Sequence, residues 1–193
     1  TAAREWAKLG IRVKTFLVSI GLILITVAAF DLWMSRAIEA YVTTSIRDDL
    51  FVRARVVARE ASHVPAPLDD RAVWDAHADA LGRTLASRVT IVRADGVVIG
   101  DSEVPLDALP SVENHGRRPE VIEALAGEPG SSERMSAVIG TRLLYVGVPF
   151  ERDGKIAGVA RVAKELSAVG EAVASARRAL YVASALAFFL ASI

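Results

Sequence analysis

Two apolar segments enclose the polar middle of this chain, and any fold must keep both of them out of water. The first, TFLVSIGLILITVAAF, runs from Thr15 to Phe30 and extends to Met34. A helix over residues 15–34 is about 30 Å long, which is enough to cross the hydrocarbon core of a bilayer. The segment has no polar face, so a membrane span is favoured over a buried core helix. It is too long for a signal peptide, and no small-residue cleavage site follows it.

The second apolar segment, ALYVASALAFFLASI, covers residues 179–193. As a helix it reaches only about 22 Å, which is short for a span. We expect it to be the beginning of a second membrane helix that is cut short at Ile193, with a buried core helix as the alternative. The two segments then enclose a domain displayed on one side of a membrane.

Basic residues predict the orientation of these spans. Residues 1–14 carry one acid, Glu5, and four basic side chains: Arg4, Lys8, Arg12 and Lys14. By the positive-inside rule the N-terminus is cytoplasmic. The predicted division is a cytoplasmic tail (1–14), a first span (15–34), an extracytoplasmic domain (35–178) and a second span (179–193). Arg177 and Arg178 oppose this orientation only weakly, because long basic side chains at the end of a span reach the headgroups.

Composition excludes several functions. The 193 residues are 52% hydrophobic and 24% charged, so the apolar residues must be concentrated in a few segments. The chain has no cysteine, which excludes disulfides and thiol chemistry. The formal net charge is zero, so there is no basic field that would favour nucleic acid as a partner.

Helical periodicity dominates the first part of the polar region. Residues 35–62 contain neither Gly nor Pro. Their apolar side chains recur every three or four positions, at Ile38, Val42, Ile46, Leu50 and Val57. This pattern predicts one long amphipathic helix that continues the first span and ends before the prolines that follow. A second helix is predicted over residues 70–87, with Asp69 or Asp70 as its N-cap.

Five β-strands are predicted in the second part of the polar region. An Asp-Gly turn at residues 95–96 joins two β-branched runs in a hairpin, and another Asp-Gly turn lies at residues 153–154. The predicted strands are Val89–Arg93, Val97–Asp101, Arg134–Ile139, Arg142–Pro149 and Lys155–Ala163.

The connections complete the predicted fold. A polar loop (103–117) precedes a short helix that begins at Pro119 and stops at Gly127, and the Pro-Gly pair at residues 129–130 is interpreted as a further breaker. The predicted fold class is α+β, with a five-stranded antiparallel sheet. The long N-terminal helix covers one face, and the 70–87 helix covers the other together with residues 103–128.

The chain after the last predicted strand has a helical pattern. Apolar residues recur at spacings of three and four: Leu166, Val169, Val173, Ala176 and Leu180. This heptad-like seam runs into the second apolar segment. A dimer seam and a stripe that faces the domain core are both consistent with it.

A series of short motifs follows one another through the predicted domain. In chain order they are RVTIV (88–92), DGVV (95–98), DS (101–102), ENH (113–115), RPEV (118–121), ALAG (124–127), RMS (134–136), LYVGVP (144–149) and GVARV (158–162). The ordered set resembles the extracytoplasmic sensor region of phosphate-regulon-type sensor histidine kinases. The resemblance covers about residues 10–193; the ordered set is specific, whereas each motif alone is not.

The resemblance implies a PAS-like (Cache-like) domain between two membrane helices of a multi-pass protein in the bacterial inner membrane. It implies the sensor part of a homodimeric histidine kinase in a two-component system. The kinase domain, which would bind ATP and Mg²⁺ and act on a response regulator, is missing from this sequence. His63, His77 and His115 lack the phospho-acceptor motif His-Glu-x-x-x-Pro of that family, so no catalytic site and no cofactor are expected in the chain itself.

The first candidate ligand-binding group is the loop that precedes the short helix. Its members are Asn114, His115, Arg117 and Arg118. Free backbone N–H groups and the helix dipole favour an anion at such a place, and arginines add fork-like donors. The alternative, which these residue types favour, is that the loop closes one end of the sheet through turn and cap hydrogen bonds.

The second candidate group lies on the last three predicted strands. Its members are Arg134, Arg142, Tyr145 and Arg161. On the covered face of the sheet they would line a pocket for an anionic ligand. The alternative is that they are solvated or paired, as is usual for arginine and tyrosine on strands. A metal site from Glu113, His115 and Glu120 is sparse and has no standard spacing, so no metal is expected.

Three functions follow from these patterns. The leading one is a transmembrane signal receptor, the sensor part of a histidine kinase, which detects an extracytoplasmic cue and passes it through the membrane helices. A chemoreceptor or cyclase with the same sensor domain is the second. The third is a membrane-anchored scaffold that binds a partner protein and does not signal. The sequence leaves the cue open: a small anionic ligand, a partner protein and a condition of the membrane are the alternatives.

Overall fold

The computed structural model describes residues 10–135 and 141–166, together with residues 175, 178, 179 and 181–183. The helices in this part of the chain are α1 (Ile11–His63), α2 (Arg71–Leu85) and α3 (Pro119–Leu125), with a 3₁₀ turn at Leu109–Ser111. The strands are β1 (Arg88–Arg93), β2 (Val98–Asp101), β3 (Gly130–Met135), β4 (Arg142–Arg152) and β5 (Lys155–Glu165). The chain divides into two compact units, residues 1–41 with 170–193, and residues 42–169.

The first unit contains an exposed apolar helix. Within α1, a window of 18 residues has a mean hydropathy of 2.2, and none of that window is buried. Length and composition therefore allow this helix to cross a membrane. The hydroxyls of Thr15 and Thr26 donate to the carbonyl oxygens of Ile11 and Leu22, so their polar atoms are satisfied within the helix.

The second apolar segment is described only in part. Residues 179 and 181–183 are helical, and the Tyr181 hydroxyl donates to the Asp31 carboxylate at 2.7 Å. The rest of this segment, and the seam predicted from Val169 to Leu180, lie outside the described residues. A second membrane span therefore stays a prediction.

The second unit is built on the predicted five-stranded antiparallel sheet. The strand order is β2-β1-β5-β4-β3, so the last strand in the chain lies at the centre. Ile91 of β1 faces Ala160 of β5, and Ala160 faces Val148 of β4. The Asp-Gly turns have positive φ where expected, at Gly96 and Gly154.

One face of the sheet packs against α1 and α2 to form the larger hydrophobic core. Leu50 and Val57 of α1 are fully buried on it. Trp74 of α2 is also fully buried; its ring lies 5.9 Å from that of Phe150, and its Nε1 donates to the Pro67 carbonyl oxygen. Asp70 caps α2, as predicted, by accepting a hydrogen bond from the backbone N–H group of Val73.

The position of α2 corrects the predicted layer arrangement. The sequence predicts the 70–87 helix on the face opposite α1, yet Trp74 and Ala78 of α2 belong to the same core as Leu50 of α1. The prediction is wrong because β1 carries apolar residues on both of its faces. The strand period alone therefore does not decide which face the preceding helix covers. Only residues 86–87 connect α2 to β1, with Ala86 at φ 46°.

The opposite face carries α3 and the loop after β2, as predicted. A smaller core forms there from Val92, Val98, Leu109, Val121, Ala124 and Val159. The helix approaches the sheet closely: a Cβ on Gly147 would lie 2.6 Å from the carbonyl oxygen of Glu120. Glycine at this position of β4 therefore allows α3, and Glu120 with it, to sit directly against the strands.

The beginning of β3 also differs from the prediction. The strand starts at Gly130, which pairs with Gly147, rather than at Arg134. A Cβ on Gly130 would again meet the Glu120 carbonyl oxygen at 2.6 Å. This glycine therefore serves close approach rather than breaking the chain direction. Residues 136–139 of the predicted strand lie outside the described residues.

The end of β5 shows a further difference. Leu166, predicted as the first residue of the C-terminal helix, packs into the larger core instead. Its backbone N–H group donates to the carbonyl oxygen of Arg142 and extends the pairing of β5 with β4. The last strand thus anchors the chain in the core before it continues toward the second apolar segment.

Candidate functional site

Strand periodicity collects polar side chains on the sheet face that α3 covers, because alternate residues of a strand share a face. These residues are Arg88 and Thr90 of β1, Asp101 of β2, Ser132 and Arg134 of β3, Tyr145 of β4 and Arg161 of β5. The register places Thr90 opposite Arg161 and Tyr145 opposite Ser132. Together with Glu120 of α3 and His115 of the preceding loop, they are called the Glu120 cluster below.

Glu120 lies at the centre of this cluster and is fully buried. Its Oε1 accepts hydrogen bonds from Arg134 Nη2 at 2.9 Å and from Arg161 Nε at 3.0 Å. Its Oε2 accepts from Ser132 Oγ at 2.5 Å. A buried carboxylate that receives two guanidinium donors and a hydroxyl is the arrangement that stabilises a charge away from water.

The same contacts set the ionisation of the pair. Burial by itself raises the pKa of Glu120, but the Ser132 hydroxyl and the positive charges of Arg161 and Arg134 outweigh it and lower that pKa below its ordinary value. Burial lowers the pKa of Arg161 to about 10, against the opposing effect of Glu120. Both groups are therefore charged at neutral pH.

The ring of Tyr145 contacts the guanidinium groups of both arginines. The guanidinium carbon of Arg134 lies 4.2 Å from the centroid of its ring, and that of Arg161 lies 4.1 Å from it. These distances are within the range of cation–π attraction, which strengthens when water is excluded. Tyr145 is buried beside Leu143 and Ala163, so an apolar wall borders the charged centre.

A second buried ion pair adjoins the first. Asp101 is fully buried and accepts from Arg88 Nε and Nη2, both at 3.0 Å. Thr90 Oγ1 donates to the same carboxylate at 2.8 Å. Arg161 Nη1 approaches Thr90 Oγ1 at 3.5 Å, which links the two ion pairs across β1 and β5.

Two buried nitrogen atoms in the cluster have no hydrogen-bond partner. One is Nη1 of Arg134 and the other is Nδ1 of His115. The His115 side chain is buried, and burial, followed by the positive charges of Arg161 and Arg118, lowers its pKa to about 4. The imidazole is therefore neutral at pH 7. Most buried N–H donors in proteins have a partner, so Arg134 Nη1 is an unused donor among the described residues of this cluster.

An open groove of about 570 Å³ borders the cluster. It lies at the ends of α2, β1 and β5, and its lining includes Arg83, Arg88, Ser102, Glu103 and Lys164. Arg88 and Ala163 belong both to the groove and to the sheet face of the cluster. The groove thus gives solvent a route to the edge of the charged site.

The loop residues predicted as ligand contacts occupy different positions. Asn114 Nδ2 donates to the Asp95 carbonyl oxygen, and its Oδ1 accepts from the Gly116 N–H group, so Asn114 ties the loop to the β1–β2 turn. Arg118 pairs with Glu113 at 2.8 Å. Arg117 is exposed. Of the predicted loop group, the structure brings His115 alone into the Glu120 cluster.

The strand residues predicted as ligand contacts come together. Arg134, Tyr145 and Arg161 form the centre of the cluster, whereas Arg142 pairs with Glu133 nearer to solvent. Sequence reasoning missed their counter-ion Glu120, and it also missed the Arg88–Asp101 pair. The available signal was polar residues at alternate positions within otherwise apolar strands. Within residues 10–135 and 141–166, no group of three or more His, Cys, Asp or Glu could hold a metal ion.

The long N-terminal helix and five-stranded antiparallel sheet are the architecture of Cache-like and PAS-like sensor domains, which confirms the predicted fold class. One similar structure is the ligand-binding domain of the Pseudomonas aeruginosa PAO1 amino acid chemoreceptor PctC, in complex with GABA. It is 20% identical with a TM-score of 0.51, over 69% of this chain and 60% of that chain. The present chain thus matches about 60% of the length of that domain.

Two further sensor domains have the same fold. The ligand-binding domain of the Campylobacter jejuni chemoreceptor Tlp3 in complex with L-valine is 14% identical with a TM-score of 0.54, over 80% of this chain and 66% of that chain. The E. coli DcuS sensor domain is 19% identical with a TM-score of 0.50, over 65% of this chain and 95% of that chain. No protein-family model and no curated protein sequence matches the chain. At these identities the likeness establishes the fold alone.

Proposed function

We propose that this chain is the sensing part of a bacterial transmembrane signal receptor and that its Cache-like domain binds a small anionic ligand at the Glu120 cluster. The observation that carries the receptor role is helix α1. This one helix contains the exposed apolar residues that suit a bilayer and also the residues between Leu50 and Ala61 that are buried in the domain core. A change of packing in the domain is thereby coupled to a displacement of a membrane helix.

The charge of the cluster supports an anion as the ligand. The guanidinium groups of Arg88, Arg134 and Arg161 face two buried carboxylates, those of Asp101 and Glu120. His115 adds no charge at neutral pH. A buried site with an excess positive charge and an unpartnered guanidinium nitrogen attracts an anion. Of these three arginines, Arg88 is the one that lines the adjoining groove.

The motif resemblance supports a histidine kinase as the output, with ATP and Mg²⁺ bound by its catalytic domain and a response regulator as its partner. The proposal includes a homodimer and a second membrane span over residues 179–193. A chemoreceptor output is the alternative, and the structural likeness to PctC and Tlp3 favours it. The reading frame after Ile193 separates the two: a dimerisation helix with His-Glu-x-x-x-Pro supports the kinase, and its absence contradicts it.

The proposed membrane topology can be tested with single cysteines, because the chain has none of its own. Arg117→Cys lies at an exposed position of the domain, and Lys14→Cys lies at the N-terminal end of the first span. In intact spheroplasts a membrane-impermeant maleimide should label Arg117→Cys, whereas Lys14→Cys should react only after permeabilisation. Equal labelling of both variants before permeabilisation would contradict the proposed orientation.

The ligand role can be tested by thermal unfolding of the 193-residue chain in detergent micelles with small anions. At increasing concentration, at least one of the four anions formate, acetate, phosphate and sulfate should raise the Tm. Arg134→Gln should abolish the rise, whereas Arg142→Gln should keep it, because Arg142 pairs with Glu133 away from the cluster. A rise that persists in Arg134→Gln would place the binding elsewhere.

A further inference from the structure

We propose that the ligand of the Glu120 cluster is a small monocarboxylate that carries no ammonium group. This inference rests on the proposed ligand-binding role of the same site and narrows the class of ligand. It is drawn from the charges, donors and acceptors of the buried face, and it separates this domain from a binder of amino acids.

The buried face carries more positive than negative charge. Among the described residues of the cluster, Arg88, Arg134 and Arg161 contribute three positive charges, and Glu120 and Asp101 contribute two negative ones. Glu103 also approaches Arg88, at 3.4 Å, but its side chain is 59% exposed and its charge is screened by water. Asp75 of α2 accepts from the Asp101 N–H group at 3.2 Å, but burial raises the pKa of Asp75 and so disfavours its charged form. With Asp75 left out of the count, one negative charge on a ligand balances the face, and a second would leave it negative.

Arg134 has a buried nitrogen that donates no hydrogen bond. Nη2 of Arg134 is engaged by Glu120 at 2.9 Å, while Nη1 of the same guanidinium is buried and has no partner. A guanidinium that uses only one side of its fork retains donor capacity for a second carboxylate. An added carboxylate oxygen at Nη1 would complete the hydrogen bonding of Arg134 without displacing Glu120.

Every oxygen of the two buried carboxylates already accepts at least one hydrogen bond. Asp101 accepts from two nitrogens of Arg88, from Thr90 Oγ1 and from the Glu103 N–H group. Glu120 accepts from Arg134, Arg161 and Ser132. A ligand ammonium group needs carboxylate or carbonyl acceptors when it leaves water, and here it would also be repelled by the neighbouring guanidinium groups.

An apolar wall lies beside the charged centre. Leu143, Tyr145 and Ala163 form a small buried hydrophobic cluster on this face. Arg134 lies over the ring of Tyr145, so its free nitrogen and the wall belong to the same place. A carboxylate oxygen at this nitrogen would bring its short alkyl chain next to apolar side chains, whereas an inorganic anion would bring further polar oxygen atoms there.

Pairs of ligands that share a carbon skeleton test the proposal directly. Isothermal titration and thermal unfolding of the 193-residue chain in detergent micelles at pH 7 would compare propionate with L-alanine and butyrate with GABA. Each pair differs by one ammonium group on the same carboxylate skeleton. We expect propionate and butyrate to bind more tightly than their amino counterparts by about tenfold or more. Succinate, which brings a second carboxylate, should bind less tightly than butyrate.

Variants tie the binding to the site. Arg134→Gln should remove propionate binding, Arg134→Lys should weaken it because a lysine keeps the charge but loses the fork, and Arg142→Gln should leave it unchanged. Circular dichroism of each variant checks that the domain is folded. Should Arg134→Gln fail to fold, the comparison of Arg134→Lys with Arg142→Gln gives the same decision.

The outcomes separate this inference from the function on which it rests. If L-alanine binds as tightly as propionate, or GABA as tightly as butyrate, and Arg134→Gln abolishes that binding, the monocarboxylate assignment is overturned while the anion site at the cluster stands. If no carboxylate of any kind binds and the Arg134 variants behave like the wild type, the proposed ligand-binding role is overturned as well. Binding of propionate that depends on Arg134 and excludes L-alanine supports both.

Discussion

The two faces of the sheet differ in what they bury. The face against α1 and α2 buries apolar side chains such as Leu50, Trp74 and Phe150. The face against α3 is divided: one part is apolar, and the other buries the charged side chains of Glu120 and Arg161. Burying ion pairs contributes less to stability than burying apolar residues of similar volume. The comparison therefore assigns stability to the first face, whereas recognition is the role that we propose for the second.

The largest expected effect is on the first face. Trp74→Ala should lower the free energy of unfolding by about 4 kcal/mol, because it empties a fully buried site and removes the hydrogen bond to Pro67. Val73→Ala is a matched control on the same helix, since Val73 is 41% exposed and should change stability by less than about 0.5 kcal/mol. Chemical denaturation measures both. An equal loss of unfolding free energy in the two variants would contradict the assignment of stability to this face.

A somewhat smaller effect is expected on the second face. Glu120→Ala should cost about 3 kcal/mol, because it leaves the Arg161 guanidinium buried without its main partner. Replacing both partners, as Glu120→Met with Arg161→Met, should recover most of that loss, because no unpaired charge remains. Denaturation of the single and double variants gives the test. A double variant that is less stable than Glu120→Ala would show that this ion pair is needed for the fold itself.

The smallest expected effect is a pH dependence carried by His115. Its pKa in the folded protein is about 4, below the ordinary value of 6.5, so between these values the unfolded chain binds a proton that the folded chain does not. Stability from this group is therefore complete above pH 6.5 and is lost as pH falls. From pH 6.5 to pH 5 the loss is about 2 kcal/mol, since each pKa unit is worth about 1.4 kcal/mol.

His115→Gln isolates this contribution, because His63 and His77 are present in both proteins. The stability of the wild type should fall more steeply than that of His115→Gln between pH 6.5 and pH 5. The depressed pKa of Glu120 acts in the same direction but at lower pH: its contribution to stability is present above its ordinary pKa of 4.5 and is lost as pH falls below it. Parallel stability curves for the two proteins down to pH 5 would contradict the buried, neutral state of His115.

Structural elements that depend on local sequence signals could be predicted from the amino-acid sequence. The 53-residue helix α1 contains no proline, and the first proline of the chain, Pro65, lies after its end. The Asp70 cap and the Asp-Gly turns depend on contacts within a few residues. The sequence predicts that the arginines and the tyrosine of β3, β4 and β5 form one group, because they lie on the last three strands of the predicted sheet. These signals are local, so a single sequence contains them.

The arrangement of layers and the centre of the site were not predictable in the same way. The face that α2 covers depends on packing against Leu50, which is far from it in sequence. Glu120 and Arg161 are 41 residues apart, and their pairing requires that α3 sit on Gly130 and Gly147. In a sequence, a glycine that permits close approach cannot be distinguished from a glycine that makes a turn, so the pattern predicts a chain breaker at Gly130.

The division between the two faces can be tested most directly by hydrogen exchange with and without propionate. The account predicts that saturating propionate slows amide exchange in α3 and in β3 and β4, which surround Glu120 and Arg134, and leaves α2 unchanged. Arg134→Gln should show no slowing in any of these elements. Slowing that is confined to α2, or that persists unchanged in Arg134→Gln, would contradict the assignment of recognition to the Glu120 face.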